Sequence, residues 1–181
     1  MNFKIIIGLM FTTSIVACNN GNETSENGGD SPAEQIKELE PKLMNDSTYA
    51  INYEVAKQLI PAYLKFREAH PDDPKSPDYL YKAGEINQGM GQGNMAVKYF
   101  DEFCKKYPDN KRAAVSLFQQ AFVYETLLKN KEMAVKLYKE FIEKYPNHEL
   151  VPSAKASIDN IDKSPEELIK EFHAKEQEKK K

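Results

Sequence analysis

The apolar residues of this chain recur three or four positions apart, in blocks that each close on a proline. Ala96, Phe100, Phe103 and Tyr107 stand at i, i+4, i+7 and i+11, one face of a helix. Ala134, Tyr138, Phe141 and Tyr145 repeat those offsets. An earlier block, Leu59 to Phe66, closes on His70-Pro71 as the later two close on Tyr107-Pro108 and Tyr145-Pro146. Pro71, Pro108 and Pro146 are spaced by 37 and then 38 residues. Proline ends each helix because it lacks an amide hydrogen and disfavours helical backbone before it. Asp109-Asn110 and Asn147-His148 follow as turn residues. The alanine opening each stripe lets a neighbouring helix approach closely, and the aromatics fill the space between.

A partner helix precedes each of the last two blocks. Residues 77–89 open with Pro77 behind Ser76 and carry Leu80, Ala83, Gly84 and Asn87 on one side. Residues 111–128 carry Val115, Phe118, Ala121, Phe122 and Leu128. Gly89 to Asn94 and Lys129 to Lys131 join the helix pairs. Residues 47–69 form the helix before the first proline, with a bend at Pro61. Residues 32–44 hold a short helix broken at Pro41, and residues 150–161 a helix with Ala154, Ile158 and Ile161 inward. Ser164-Pro165-Glu166-Glu167 is a capping box with proline at the first helical position. It opens a last helix over 164–181, with Leu168, Ile169 and Phe172 turned inward to cover the end of the array. Strand signals are weak throughout, so the chain is predicted to be all-α.

The pattern resembles tetratricopeptide repeats. Counted back from Pro108, Leu80, Ala83, Gly84, Ala96 and Phe100 fall where that motif has a large residue, an apolar residue, Gly, Ala and an aromatic. Counted back from Pro146, Phe118, Ala121, Ala134 and Tyr138 do the same. Asn87 and Glu125 stand where the motif has Tyr, and Phe122 where it has Gly. The repeats are also longer than the roughly 34 residues of the motif. In these traits they are similar to the repeats of envelope proteins such as the barrel-assembly lipoprotein and the periplasmic coordinator of the Tol–Pal system. The resemblance covers residues 47–161 and implies a short helical-hairpin solenoid over 47–163, with a capping helix and charged tail over 164–181. It further implies a concave groove lined by the first helix of each repeat. By motif position, Tyr81, Glu85 and Gln88 face that groove from one helix, and Gln119, Val123 and Thr126 from the next. Tyr81 and Tyr124 are the amphipathic kind of side chain that binding surfaces favour.

The N-terminus has the three parts of an export signal over residues 1–17: Lys4, an apolar run from Ile5, and a small-residue end. The apolar run is too short to span the roughly 30 Å hydrocarbon core. Ile15-Val16-Ala17-Cys18 resembles the bacterial lipobox, which implies that Cys18 carries a diacylglycerol and becomes the first residue of the mature chain. Residues 18–46 then serve as a lipidated tether, and Asn19 to Asp30 is polar and nearly free of apolar side chains. By resemblance to envelope sorting rules, Asn19 rather than Asp after the cysteine favours the outer membrane, facing the periplasm.

Composition narrows the chemistry. The formal net charge is −3, with 25 basic and 28 acidic residues, and gives no basic footprint for nucleic acid. Lys179-Lys180-Lys181 is balanced by Glu176 and Glu178. With Cys18 assigned to lipid, Cys104 is a lone thiol that aligns with Ile142 beside the aromatic stripe, and reads as a small buried hydrophobe. His70, His148 and His173 form no metal-ligand spacing. Gly89, Gly91 and Gly93 lie between two helices, where a phosphate cradle would need a preceding strand. The reading is therefore of a non-enzyme without cofactor or metal: a membrane-anchored interaction scaffold of the bacterial envelope with a protein or peptide partner. The alternative is a structural subunit of an envelope machine for outer-membrane assembly or cell division.

Overall fold

The computed structural model describes residues 31–45, 48 and 50–178. The export signal, Cys18 and the tether up to Asp30 lie outside the described residues. Among the described residues eight α-helices follow one another: α1 (Pro32–Leu39), α2 (Tyr53–Ala69), α3 (Lys75–Gly89), α4 (Gly93–Lys106), α5 (Ala113–Thr126), α6 (Lys131–Lys144), α7 (Val151–Asn160) and α8 (Pro165–Glu178). A 3₁₀ turn over Glu40–Lys42 extends α1. Among the described residues the only strand-like pairing is an isolated bridge between Met44 and Ile51. From α1 to α7 each helix packs on its neighbours in sequence, the arrangement of a solenoid.

The helix starts show why these segments fold locally. Ser31 and Glu34 form a reciprocal capping box on α1, and Ser164 and Glu167 form another on α8. Asn52 accepts amide hydrogens of α2, and Asn130 one of α6. Helix α2 runs through Pro61, whose exposed ring leaves the carbonyl of Lys57 without its helical donor. Helix α3 starts two residues earlier than expected. Ser76 lies inside its first turn, and its hydroxyl donates to the carbonyl of His70 at 2.6 Å.

The core is three clusters in a row. The first joins Ile36, Leu59, Tyr63, Phe66, Tyr79 and Ile86. The second joins Leu80, Tyr81, Ala96, Phe100, Phe103 and Val123, and the third Leu117, Ala121, Ala134, Tyr138, Phe141 and Ala154. The expected stripes of α4 and α6 are the buried ones. Ala96 and Ala134 are wholly inaccessible, as are Phe100, Phe103, Tyr138 and Phe141. Each such aromatic contributes about 1.5–3 kcal/mol through burial.

The structure corrects three expectations. Residues 31–45 are not tether: α1 packs on α2 and buries Ile36, an apolar side chain the tether reading left without a role. Phe122 does not face the core but is 38% exposed. The equivalent position in the preceding repeat, Gly84, lies so close to Phe100 that a side chain has no room there. Leu168 and Ile169 of α8, expected to turn inward over the array, are also exposed. The last buried contacts of the solenoid come from Val151 and Ala154 of α7.

A candidate interaction groove and the cavity at its end

Six side chains were expected to face the groove, and the structure divides them. Tyr81 is only 4% exposed. Its ring packs 5.6 Å from that of Phe100 and 5.7 Å from that of Phe103, and the Arg112 guanidinium lies 4.6 Å from its centre. Burial first, and then the Glu85 carboxylate, pushes the Tyr81 hydroxyl up to about 12. Val123 is wholly inaccessible and belongs to the same core cluster. Neither Tyr81 nor Val123 is a surface contact. The reason is shared: the buried residues of α3 and α5 spread beyond a single stripe, so each helix buries two faces. Ala113, Ser116, Gln120 and Val123 lie on one buried face of α5, and Ala114, Leu117 and Ala121 on another.

The other four stay at or near the surface. Gln88 donates from Nε2 to Oε1 of Gln119 at 3.3 Å, which joins the first helices of the two repeats at this point. The Thr126 hydroxyl donates to the carbonyl of Phe122 at 2.7 Å within its own helix. Glu85 is open to solvent and lines a cavity that the sequence reading missed.

That cavity, of about 410 Å³, is bounded by Glu40, Leu43, Met44, Ile51, Tyr63, Lys82, Glu85 and Ile86. The 3₁₀ turn and the Met44–Ile51 bridge bring the first four residues against α2 and α3. The polar rim is ordered by Glu40. Its carboxylate accepts from the Tyr63 hydroxyl at 2.7 Å and from the Lys82 ammonium. Burial alone would raise this carboxyl, but the bonds from Lys82 and Tyr63 outweigh it and hold the group below the usual carboxylate range. The Lys82 ammonium also lies 5.8 Å from the ring centres of both Tyr63 and Tyr79, which are stacked 4.8 Å apart.

Glu85 differs from its neighbour. Protein surrounds much of its carboxylate although water reaches it, and this desolvation raises the group despite the opposing Arg112 charge and the Tyr81 hydroxyl. A sequence signal for the cavity existed in Leu43 and Met44, apolar residues in a stretch assigned to the tether, and in Ile51, assigned to the helix over 47–69. No helical or strand period connects them, so they carried no pattern.

The remaining candidates have structural roles. Cys104 is partly buried; its thiol lies 3.5 Å from the carbonyl of Ala113 and 3.5 Å from the Gln120 amide. Burial pushes it up to about 11. Nδ1 of His148 accepts the amide of Leu150 at 3.2 Å, just ahead of α7. Gly91 takes a positive φ of 72° in the turn between α3 and α4. That turn joins two helices and has the repeat's geometry, not a strand-to-helix phosphate loop. Among the described residues no three His, Cys, Asp or Glu side chains come together as a group able to hold a metal ion.

Comparison with known families agrees with the helical arrangement. The tetratricopeptide repeat model matches residues 78–110 and again residues 115–148. These spans take in α3 with α4 and α5 with α6, and leave α1, α2, α7 and α8 outside. No curated protein matches the chain. Two segments that match the tetratricopeptide repeat stand in tandem at the centre of the solenoid, over residues 78–110 and 115–148.

Proposed function

We propose that this protein is a lipid-anchored interaction scaffold of the bacterial cell envelope. Its repeats hold a protein or peptide partner along the first helices, α3 and α5. The observation that carries the reading is the tandem pair of tetratricopeptide repeats, whose principal use is protein contact, with Gln88, Gln119 and Glu85 presented by those helices. The lipobox ending in Cys18 and the polar stretch after it support the anchor, and Asn19 supports the outer membrane, facing the periplasm. A second reading is favoured by the exposed Leu168 and Ile169 of α8. It makes the protein a fixed subunit of an envelope machine, in which a permanent neighbour covers that stripe.

Photo-crosslinkers placed at Gln88 or Gln119 in intact cells test the scaffold reading against a control at Lys139, which is exposed on α6. The expected result is an adduct to a discrete protein from the two groove positions and none from Lys139. Adducts from Lys139 alone would overturn the groove. Crosslinks confined to a probe at Ile169 would favour the machine subunit.

A further inference from the structure

We infer that the cavity beside α3 is a docking subsite for a partner segment that carries an apolar side chain next to a lysine or arginine. The inference rests on the scaffold reading above and deepens it by naming the chemistry of the contact. Three observations combine.

The first is shape and lining. Leu43, Met44, Ile51 and Ile86 give the cavity an apolar wall, and Met44 is 45% exposed. Its volume of about 410 Å³ falls in the range of binding clefts and has room for more than one aliphatic side chain. A flexible methionine at the mouth adapts to different apolar shapes.

The second is where charge is spent. Among the described lining residues Lys82 is the only cation, and it is taken: it bonds to Glu40 and lies over Tyr63 and Tyr79. Glu40 is occupied in turn by Lys82 and the Tyr63 hydroxyl. Among the described lining residues no second cation remains, and Lys75, whose charge reaches Glu40, stands outside that lining, so an acidic segment finds little to pair with here.

The third is the carboxylate left over. Glu85 makes no ion pair within 4 Å among the described residues, while Arg112, the nearest balancing charge, pairs with Asp78 at 3.3 Å. A partly desolvated carboxylate at the edge of an apolar cavity gains from an incoming ammonium or guanidinium more than a fully solvated one does. The rim as a whole therefore complements a cation. Glu40, Leu43, Met44 and Ile51, which build half of the cavity, lie outside the two matched repeats, so the subsite belongs to this chain and not to the repeat motif.

The test compares three short fluorescent peptides on the full-length chain by anisotropy. One carries two leucines followed by two lysines, the second the same leucines followed by two glutamates, and the third serines followed by the lysines. The expected result is binding of the leucine–lysine peptide, with each of the others at least about tenfold weaker. Glu85→Lys should reverse the preference between the lysine and glutamate peptides, a change that a merely unstable variant cannot produce. Met44→Asp should weaken the leucine–lysine peptide. Equal binding of the lysine and glutamate peptides, an unchanged preference in Glu85→Lys, or no binding of any peptide overturns the inference. If crosslinking from Gln88 or Gln119 still captures a partner in that case, the scaffold stands and only the subsite falls.

Discussion

A Cβ placed on Gly84 would lie 2.7 Å from Cε1 of Phe100, a ring with no accessible surface of its own. The two residues set how closely α3 approaches α4. In an ordinary helix interior, Gly→Ala stabilises by about 1 kcal/mol through backbone entropy. Here overpacking against a ring that cannot swing away costs about 1–3 kcal/mol. Gly84→Ala is expected to lower stability by up to roughly 2 kcal/mol, because overpacking against the fixed ring outweighs the entropic gain. Phe122→Ala, at the equivalent position of the second repeat but exposed, is expected to change it by under about 1 kcal/mol. Urea unfolding of both variants checks the pair; a Gly84→Ala variant as stable as the parent contradicts the close contact.

The Glu40 carboxylate gives a pH signature. Its folded value lies below the usual 4.5, so the stability it contributes is complete above that value and is lost as pH falls through the folded value. Glu40→Gln keeps an acceptor for the Tyr63 hydroxyl and removes only the charge facing Lys82. After discounting for the partial exposure of both side chains, the variant should be less stable than the parent by about 0.5–1 kcal/mol at neutral pH. The difference should vanish in acid. Thermal unfolding across that range reads it, and a gap that widens on acidification contradicts the assignment.

Cys104 should be slow to alkylate. With its thiol pushed up to about 11 by burial, its thiolate fraction at pH 8 is about a hundredfold below that of an ordinary cysteine. Peptide mass spectrometry distinguishes Cys104 from Cys18. Labelling of Cys104 at the rate of a free peptide thiol, without denaturant, would show that it is open to solvent.

The anchor has its own test. Mass spectrometry of the mature protein should find an acylated Cys18 at the N-terminus, and Cys18→Ala should leave the membrane fraction. An intact leader on the mature chain would remove the anchor from the account.

The legible parts of the molecule were those governed by one period. The stripes Ala96–Phe100–Phe103 and Ala134–Tyr138–Phe141 were readable because α4 and α6 each present one dominant buried face. Tyr81 and Val123 were misplaced because α3 and α5 bury two faces. Motif position then assigns one residue per turn to a groove that the neighbouring helix already fills. The exposed Leu168 and Ile169 show the opposite limit: an apolar stripe predicts that something covers it, not that this chain does. The cavity was hidden because Glu40, Met44, Tyr63 and Glu85 come from separate segments that only the fold assembles. The capping box of Ser164 with Glu167 survived best, since it is local and owes nothing to tertiary packing.

The central claim is that a protein partner is held along α3 and α5. It is tested most directly by the affinity of the partner captured by crosslinking for two double variants. One is Gln88→Lys with Gln119→Lys in the groove; the other is Lys136→Glu with Lys139→Glu on the exposed side of α6. The expected result is at least about a tenfold loss for the groove variant, corresponding to about 1.4 kcal/mol, with its helical content retained, and no loss for the α6 variant. Parental affinity in the groove variant together with a loss in the α6 variant would contradict it.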